Sequence, residues 1–361
     1  MVMGQALFLA ERTSMIPSFP RFQRLELNNK ADIESFSRQF PPYSDFNFGS
    51  MWCWDTENRV HVCRLAEHLV VQSADDAAGE PFYSFLGGGG AQSLQVAETL
   101  LARACAEGRQ PRLKLVPQEV MAPLRGTSLL FSEDRASDDY ILDAGNLSLY
   151  AGTSFAHARS NVNKFLRSCP ESRVVPLDLG SACVREEIDR LQTTWAYNKG
   201  LTLPNEKAAL ERLLAVSTAL HLVGTGVYEH GSLIAFSIIE MLEDGYAMGH
   251  FAKCDAGFSG LSHYLYQATA RAMSDRGGRY LNVQEDLGIA GLRTFKMLLR
   301  PVAFLKKYAV TCGVACAGKP GPGCLHVRHH TPLPPPVAAP VWENAPAAGL
   351  WAPGYAAAHM P

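Results

Sequence analysis

Long apolar runs are missing from this 361-residue sequence. Nothing in it approaches the roughly 18 consecutive apolar residues that span a bilayer, so no transmembrane segment is expected. An excess of one charge is missing too: 33 Lys and Arg stand against 35 Asp and Glu, a net charge of −2. A polyanion must therefore be met by a local patch rather than by global attraction. The opening "MVMGQALFLAERTSM" lacks a basic leader, a full apolar stretch and a cleavage site, so no secretion signal is read and a cytoplasmic location is expected. A disulfide framework is also absent, because the nine cysteines are odd in number and stand mostly alone, as Cys63, Cys105 and Cys183 do. Finally, there is no G-x-S-x-G, P-loop or H-E-x-x-H, and no Cys/His pair is placed by its context for covalent catalysis.

What is present is enough apolar material, 47% of residues, to bury one large core or two ordinary ones. From Gly318 onward the chain changes character and holds ten of its 22 prolines, which reads as a disordered or polyproline-like tail. Cys312, Cys316, Cys324, His326, His329 and His330 fall in or beside this tail at a spacing that matches no zinc pattern, so no metal is expected there. Before the tail the order of elements repeats. In each half a β-meander leads into a glycine-bearing turn, a helix and a further strand. Hairpin signals such as "EHGS" and "EDGY" favour antiparallel meanders, so the order predicts a duplicated α+β unit.

Three constellations could carry chemistry. The glycine turns "FLGGGGAQS" and "KCDAGFSGLS", with Gly257 and Gly260 in the second, let a backbone approach a ligand ahead of a helix N-terminus. They serve equally well as tight strand-to-helix turns. The helix in "FAHARSNVNKFLRSC" puts Ser160, Lys164 and Arg167 on one face with Arg159 beside it, which suits phosphates or simply solvent. The third, "YLNVQEDLGIAGLRTFKMLLRP", gathers Asn282, Gln284, Glu285 and Asp286 at a strand end. Gly288 and Gly291 follow, then a helix with Arg293, Lys296 and Arg300 on one side. Asp286 alone has a plain explanation as a carboxylate before a helix start. His250, on a probable strand, reads as a core histidine or a functional one.

The last constellation, together with "DDYILDAGNLSLYAGTSFAHARSNVNKFLRSC" and "HFAKCDAGFSGLSHYLYQATARAM", resembles the C-terminal domain family of phosphatidylglycerol lysyltransferases over about Ser18 to Tyr308. The resemblance implies two tandem GNAT-like acyltransferase units, each a mostly antiparallel twisted sheet flanked by helices. The divisions then run 1–17, 18–138, 139–311 and 312–361, with the main site in the third and the tail in the last. It also implies transfer of an aminoacyl group from aminoacyl-tRNA onto a lipid, peptide or small-molecule acceptor, as in the related Fem-type ligases, with no tightly bound cofactor and no metal. Lipid-modifying members usually carry a multi-helix membrane region, for which this sequence has no apolar run, so membrane contact is expected to be peripheral at most. The implied roles are proton relay or ammonium binding for Glu285 and Asp286, and substrate binding for Asn282, Arg293, Lys296, Lys253, His250, Arg159, Asn161 and Lys164. The loops of Gly257, Gly260, Gly288 and Gly291 would shape the site. Acyl transfer from acyl-CoA and a non-catalytic RNA-binding module on the same fold remain as alternatives.

Overall fold

The computed structural model describes residues 16–74, 79–88, 91–198 and 204–312. Seven of the nine cysteines lie within them, and the Cys and His residues in and beside the tail divide accordingly. Cys312 is described, whereas Cys316, Cys324, His326, His329 and His330 lie outside the described residues.

The first unit opens with β1 (Gln23–Arg24), α1 (Lys30–Ser37) and α2 (Phe48–Trp54). It continues with the meander β2 (His61–Leu65), β3 (His68–Ala74) and β4 (Pro81–Gly87), then α3 (Ala91–Ala106), β5 (Arg112–Pro117) and β6 (Leu129–Glu133). The second unit holds β7 (Asp139–Asp143), α4 (Ala144–Leu149), α5 (Ala156–Ser168), β8 (Arg173–Leu177), α6 (Ala182–Asn198) and α7 (Pro204–Ala215). Its own meander is β9 (Leu222–Glu229), β10 (Ser232–Met241) and β11 (Tyr246–Cys254), followed by α8 (Leu261–Ser274), β12 (Tyr280–Asn282), α9 (Ala290–Leu298), β13 (Ala303–Leu305) and β14 (Lys307–Cys312). Local chemistry accounts for the joins. His230 and Gly231 both take positive φ between β9 and β10, the backbone a tight hairpin demands. Proline opens α7, where its missing N–H costs nothing.

Two seven-stranded mixed sheets result, ordered β1-β2-β3-β4-β5-β14-β6 and β13-β7-β12-β11-β10-β9-β8. In each, three antiparallel strands are followed by a helix and a strand added in parallel, β5 beside β4 and β12 beside β11. This is the expected α+β, tandem GNAT-like arrangement. The strand that follows β6 and the strand that follows β13 then each pair in the sheet opposite to the strand before them: β7 inserts between β12 and β13, and β14 inserts between β5 and β6. A division at 138/139 with the second unit running to 311 thus puts β14 on the wrong side in space, because the strand's hydrogen-bond partners lie in the first sheet. The two sheets also share a core. One cluster of buried apolar side chains runs from Val70, Phe85 and Val116 through Ile141 to Phe236 and Ile238. The crossing strand β14 and the shared core pack the two units against each other.

Candidate active site

The strands β11 and β12 pair only over Tyr246–Met248 and Tyr280–Asn282. Beyond that point β11 runs on, while the other chain turns away through Gln284 and Leu287, both with positive φ. Left-handed backbone at non-glycine residues costs about 1 kcal/mol or more each and persists where its surroundings hold it. Here Lys296 does so, donating from Nζ to the carbonyls of Val283 at 2.7 Å, Gln284 at 3.3 Å and Glu285 at 2.5 Å. The Gln284 side chain bridges the gap to Gly249 O at 2.7 Å. The splay opens a cavity of about 160 Å³ whose lining includes Glu285, Lys296, His250, Lys253, Glu206 and Trp195. Trp195 also walls a second, outer groove of about 660 Å³ that includes Asn161, Gly260, His263 and Gly291.

The adjacent acids face different surroundings. Asp286 is wholly buried, yet it is absent from the lining of the chamber. Its oxygens accept from Arg293 Nε and Nη2, each at 2.8 Å, from Gly288 N at 2.8 Å, from Arg135 Nη1 at 3.3 Å and from the Tyr140 hydroxyl. Burial works against its charge, but the hydrogen bonds from Arg293, Tyr140 and Gly288 hold its carboxyl below the usual range. Glu285 Oε2 accepts from Ser44 Oγ at 3.0 Å. Burial raises its pKa, and the negative charge of Asp139 adds to that, against the pull of Lys307 and Lys296. Glu285 is therefore the acid with proton affinity and an approachable oxygen, and Asp286 is the saturated one.

The remaining predicted residues separate in the same way. Lys253 lies 2.5 Å from Glu206 Oε1 and 3.7 Å over the Trp195 ring, a cation held by an acid and an aromatic face. Glu206 Oε2 is buried and accepts no hydrogen bond among the described residues. His250 lines the chamber, with Nδ1 at 2.8 Å from Ser50 Oγ of α2 and Nε2 at 3.0 Å from Glu240 Oε2 of the neighbouring β10, so both ring nitrogens are engaged. Asn282 braces that interface, donating to Asp139 Oδ2 at 3.1 Å and to the Pro42 carbonyl, while its Oδ1 accepts from Gln284 N at 2.6 Å.

The cations of α9 do not form one phosphate-facing stripe. Lys296 is buried on three carbonyls, where desolvation lowers its pKa to about 8 against the pull of Glu285 and Asp139. Arg293 is bound to Asp286, and Arg300, left-handed at the helix end before Pro301, donates to Ser154 O at 3.2 Å. Arg159 and Lys164 line neither cavity. The Arg159 guanidinium caps the Tyr150 and Gly152 carbonyls, and Lys164 is exposed on α5. Periodicity places side chains on a helix face, but it does not say which way that face turns.

The glycines resolve too. A Cβ at Gly260, where φ is +88°, would overlap the Asn161 carbonyl oxygen of α5. Close packing thus accounts for that glycine. Gly257 N and Gly288 N close turns on Asp255 and Asp286 at 2.9 and 2.8 Å. In the first unit, a Cβ on Gly88 would strike the ring of His68, itself 3.0 Å from Ser93 Oγ. The histidine ring thus takes the space beside Gly88, while Gly89 and Gly90 of that turn lie outside the described residues.

Four residues that the sequence did not single out complete the site: Glu206 and Trp195 on the chamber wall, and Ser44 and Lys307 behind Glu285. Pro204 opening a helix was the one signal for Glu206, since it fixes a first turn two residues before the acid. Among the described residues no group of three or more His, Cys, Asp or Glu is placed to hold a metal, and no helix is long and apolar enough to cross a membrane.

Residues 37–311 match the family model described as phosphatidylglycerol lysyltransferase, C-terminal. No curated protein matches the chain. Among solved structures, a conserved protein of unknown function from Bacteroides thetaiotaomicron is 24% identical, covers 82% of this chain and 99% of its own, and superposes with a TM-score of 0.68. The L-PGS structure from Bacillus licheniformis is 14% identical, with coverages of 81% and 93% and a TM-score of 0.58. The C-terminal domain of a putative lysylphosphatidylglycerol synthetase from Agrobacterium fabrum is 12% identical, with coverages of 70% and 83% and a TM-score of 0.52. These likenesses establish a common fold. With the splayed-strand chamber and every strand but β1 and the last residue of β14 inside the matched segment, the chain belongs to the phosphatidylglycerol lysyltransferase C-terminal family.

Proposed function

We propose that the chamber between β11 and β12 is an acyl-transfer site that passes an aminoacyl group from aminoacyl-tRNA to a nucleophilic acceptor. The observation that carries this reading is the pairing, in one small chamber, of a proton-seeking carboxyl, Glu285, with an unpartnered buried carboxylate oxygen, Glu206 Oε2. An aminoacyl ester is already activated, so direct attack needs orientation, a proton acceptor and charge stabilisation, and no enzyme-bound intermediate. Glu206 Oε2 receives the donor's α-ammonium, Glu285 takes the acceptor's proton, and Lys253 offers N–H groups to the developing oxyanion. A volume of about 160 Å³ lies below the roughly 300–1,000 Å³ of drug-sized pockets and fits an acyl fragment. The groove of about 660 Å³ beyond Trp195 then takes the end of the carrier. Acyl-CoA is the weaker donor, because Asn161 occupies the place beside Gly260 where a pyrophosphate would lie against the loop.

The family description names phosphatidylglycerol as an acceptor, and a lipid headgroup presented at a membrane surface fits the proposal, as does a soluble amine or alcohol. The test incubates purified protein with labelled aminoacyl-tRNA and cell extract, with acetyl-CoA in parallel, and follows the label by mass spectrometry. The expected result is label on an acceptor, lost in Glu285→Gln and with a raised KM for donor in Glu206→Gln. Consumption of acetyl-CoA with tRNA ignored would replace this reading by the N-acyltransferase one.

A further inference from the structure

Glu285 belongs to the second unit, but what holds its carboxyl does not. Ser44, on the segment before α2, donates from Oγ to Glu285 Oε2 at 3.0 Å, and the same Oγ accepts from Lys307 Nζ at 2.6 Å. Lys307 opens the exchanged strand β14, and its Nζ also lies 2.6 Å from Asp45 Oδ2 and 2.9 Å from Asp139 Oδ1. Ser44 N donates to Asp139 Oδ2, so the serine is fixed by backbone and side chain together. All five residues are buried, and Lys296 flanks the group with its Nζ on the Glu285 carbonyl. Two ammonium groups, of which Lys307 alone contacts the Asp45 and Asp139 carboxylates, thus sit among three carboxyls, an imbalance of charge that is costly away from water. The Asp45 carboxyl relieves part of it by holding a proton, its pKa raised to about 8. Asp45, raised by burial and by Asp139 and Glu285, is the group behind the chamber that shares this burden with Glu285.

We infer that Ser44 and Lys307 are positioning residues for Glu285, so that the first unit and the exchanged strand set the orientation and ionisation of a carboxylate whose chemistry lies in the second unit. The inference rests on the reading of Glu285 as the proton acceptor. In that step the acceptor's N or O forms a bond to the ester carbonyl carbon, and its proton passes to Glu285 Oε1, the oxygen that Ser44 does not engage. The ester C–O bond breaks, the departing ribose oxygen takes the same proton, and Glu285 returns to carboxylate. No oxidant, reductant or further reactant enters. Ser44 keeps Oε2 occupied and so turns Oε1 to the chamber, while Lys307 favours the ionised form that can accept a proton.

The test needs two readouts. The Glu285 carboxyl is titrated in substrate-free protein by infrared difference spectroscopy, with Glu285→Gln identifying its band, and the pH profile of kcat/KM is measured for transfer. Lys307→Met is expected to move both the titration and the acidic limb upward by about one unit or more, and Lys307→Arg to restore them. Asp139→Asn removes the anion whose charge raises Glu285 and is expected to move both downward. It keeps the inference falsifiable if Lys307→Met does not fold. Ser44→Ala is expected to lower kcat about tenfold with KM for donor unchanged, the worth of one hydrogen bond to a charged group, and Ser44→Thr to restore it. Lower activity with an unmoved titration in Lys307→Met and Asp139→Asn means the network is only glue between units, and overturns the inference alone. Shifted titrations in a wild-type protein that transfers nothing overturn the reading of the site, and the inference with it.

Discussion

Replacing Asp286 by Asn separates two acids that are neighbours in the chain and strangers in the structure. Asp286 holds Arg293 in a two-pronged contact, with Tyr140, Arg135 and the Gly288 amide filling its remaining positions. An asparagine keeps one acceptor oxygen and turns N–H donors toward guanidinium donors, so at least two charged hydrogen bonds are lost. Each is worth about 1.5–3 kcal/mol. The side chains of Arg293 and Arg135 are 41% and 37% exposed, so both guanidinia recover hydration when released, and the sum must be discounted. A net loss of about 3 kcal/mol remains, which at about 2–4 °C per kcal/mol lowers Tm by about 6–12 °C. The carboxyl is held below its ordinary pKa. The stability it supplies is therefore present above the unfolded value near 3.9 and disappears as pH falls through the folded one. Wild type and variant should converge in strong acid. Calorimetric unfolding at pH 7 and at pH 2–3, beside the transfer assay, makes the comparison. A variant that melts within about 1 °C of wild type yet transfers nothing would refute the structural role and return Asp286 to the chemistry.

Other outcomes follow from the same geometry. Glu285→Gln keeps a carbonyl oxygen that can accept from Ser44 Oγ, so Tm should change little, while kcat should fall about a hundredfold or more, as general-base loss does. Gly260→Ala should destabilise by about 2 kcal/mol or more, since a left-handed backbone and an overlap with the Asn161 carbonyl act together; urea unfolding at neutral pH checks this, and a neutral result would mean the loop and α5 are not packed as described. His263, kept neutral by burial and by His157 down to a pKa of about 4, binds fewer protons folded than unfolded between about 6.5 and 4. Stability from this residue should therefore fall as pH drops through that window, by up to about 3 kcal/mol, and His263→Gln should flatten the dependence of the urea midpoint on pH. Lys296→Met strands three carbonyls and should cost about 2–4 kcal/mol while loosening the 283–285 turn, read as faster amide exchange there.

Much of the fold could be read from residue order. The two meanders, their glycine turns and the helix after each are local patterns, and strands from His61 to Gly87 and from Leu222 to Cys254 stand where alternation and turn residues put them. The exchange of β7 and β14 could not be read, because a strand's alternation shows that it pairs and is silent about with whom. The same divide runs through the site. Asn282, Glu285 and Lys296 were visible as polar residues crowded at a strand end. Their partners Ser44, Asp139 and Lys307 lie 241, 143 and 11–22 residues away and are brought up only by tertiary pairing. The basic face of α5 misled for a physical reason: Arg159 and Lys164 satisfy the helix period equally well facing solvent and facing a ligand, and here solvent and local carbonyls take them.

The strand exchange has a consequence for how this protein is made. Residues reach their partners in the order of synthesis, and the gap between β5 and β6 is closed by residues 307–312. Until those residues emerge, a nascent first unit carries two open strand edges, the sort of edge that invites pairing with another chain. Folding of the first half therefore waits for the second, and a halted or truncated chain is exposed to strand swapping with its neighbours. Pulse-labelled amide exchange on ribosome-bound chains would show it: protection of β5 should appear only once β14 is free of the ribosome, and protection before that point would mean the first sheet closes without it.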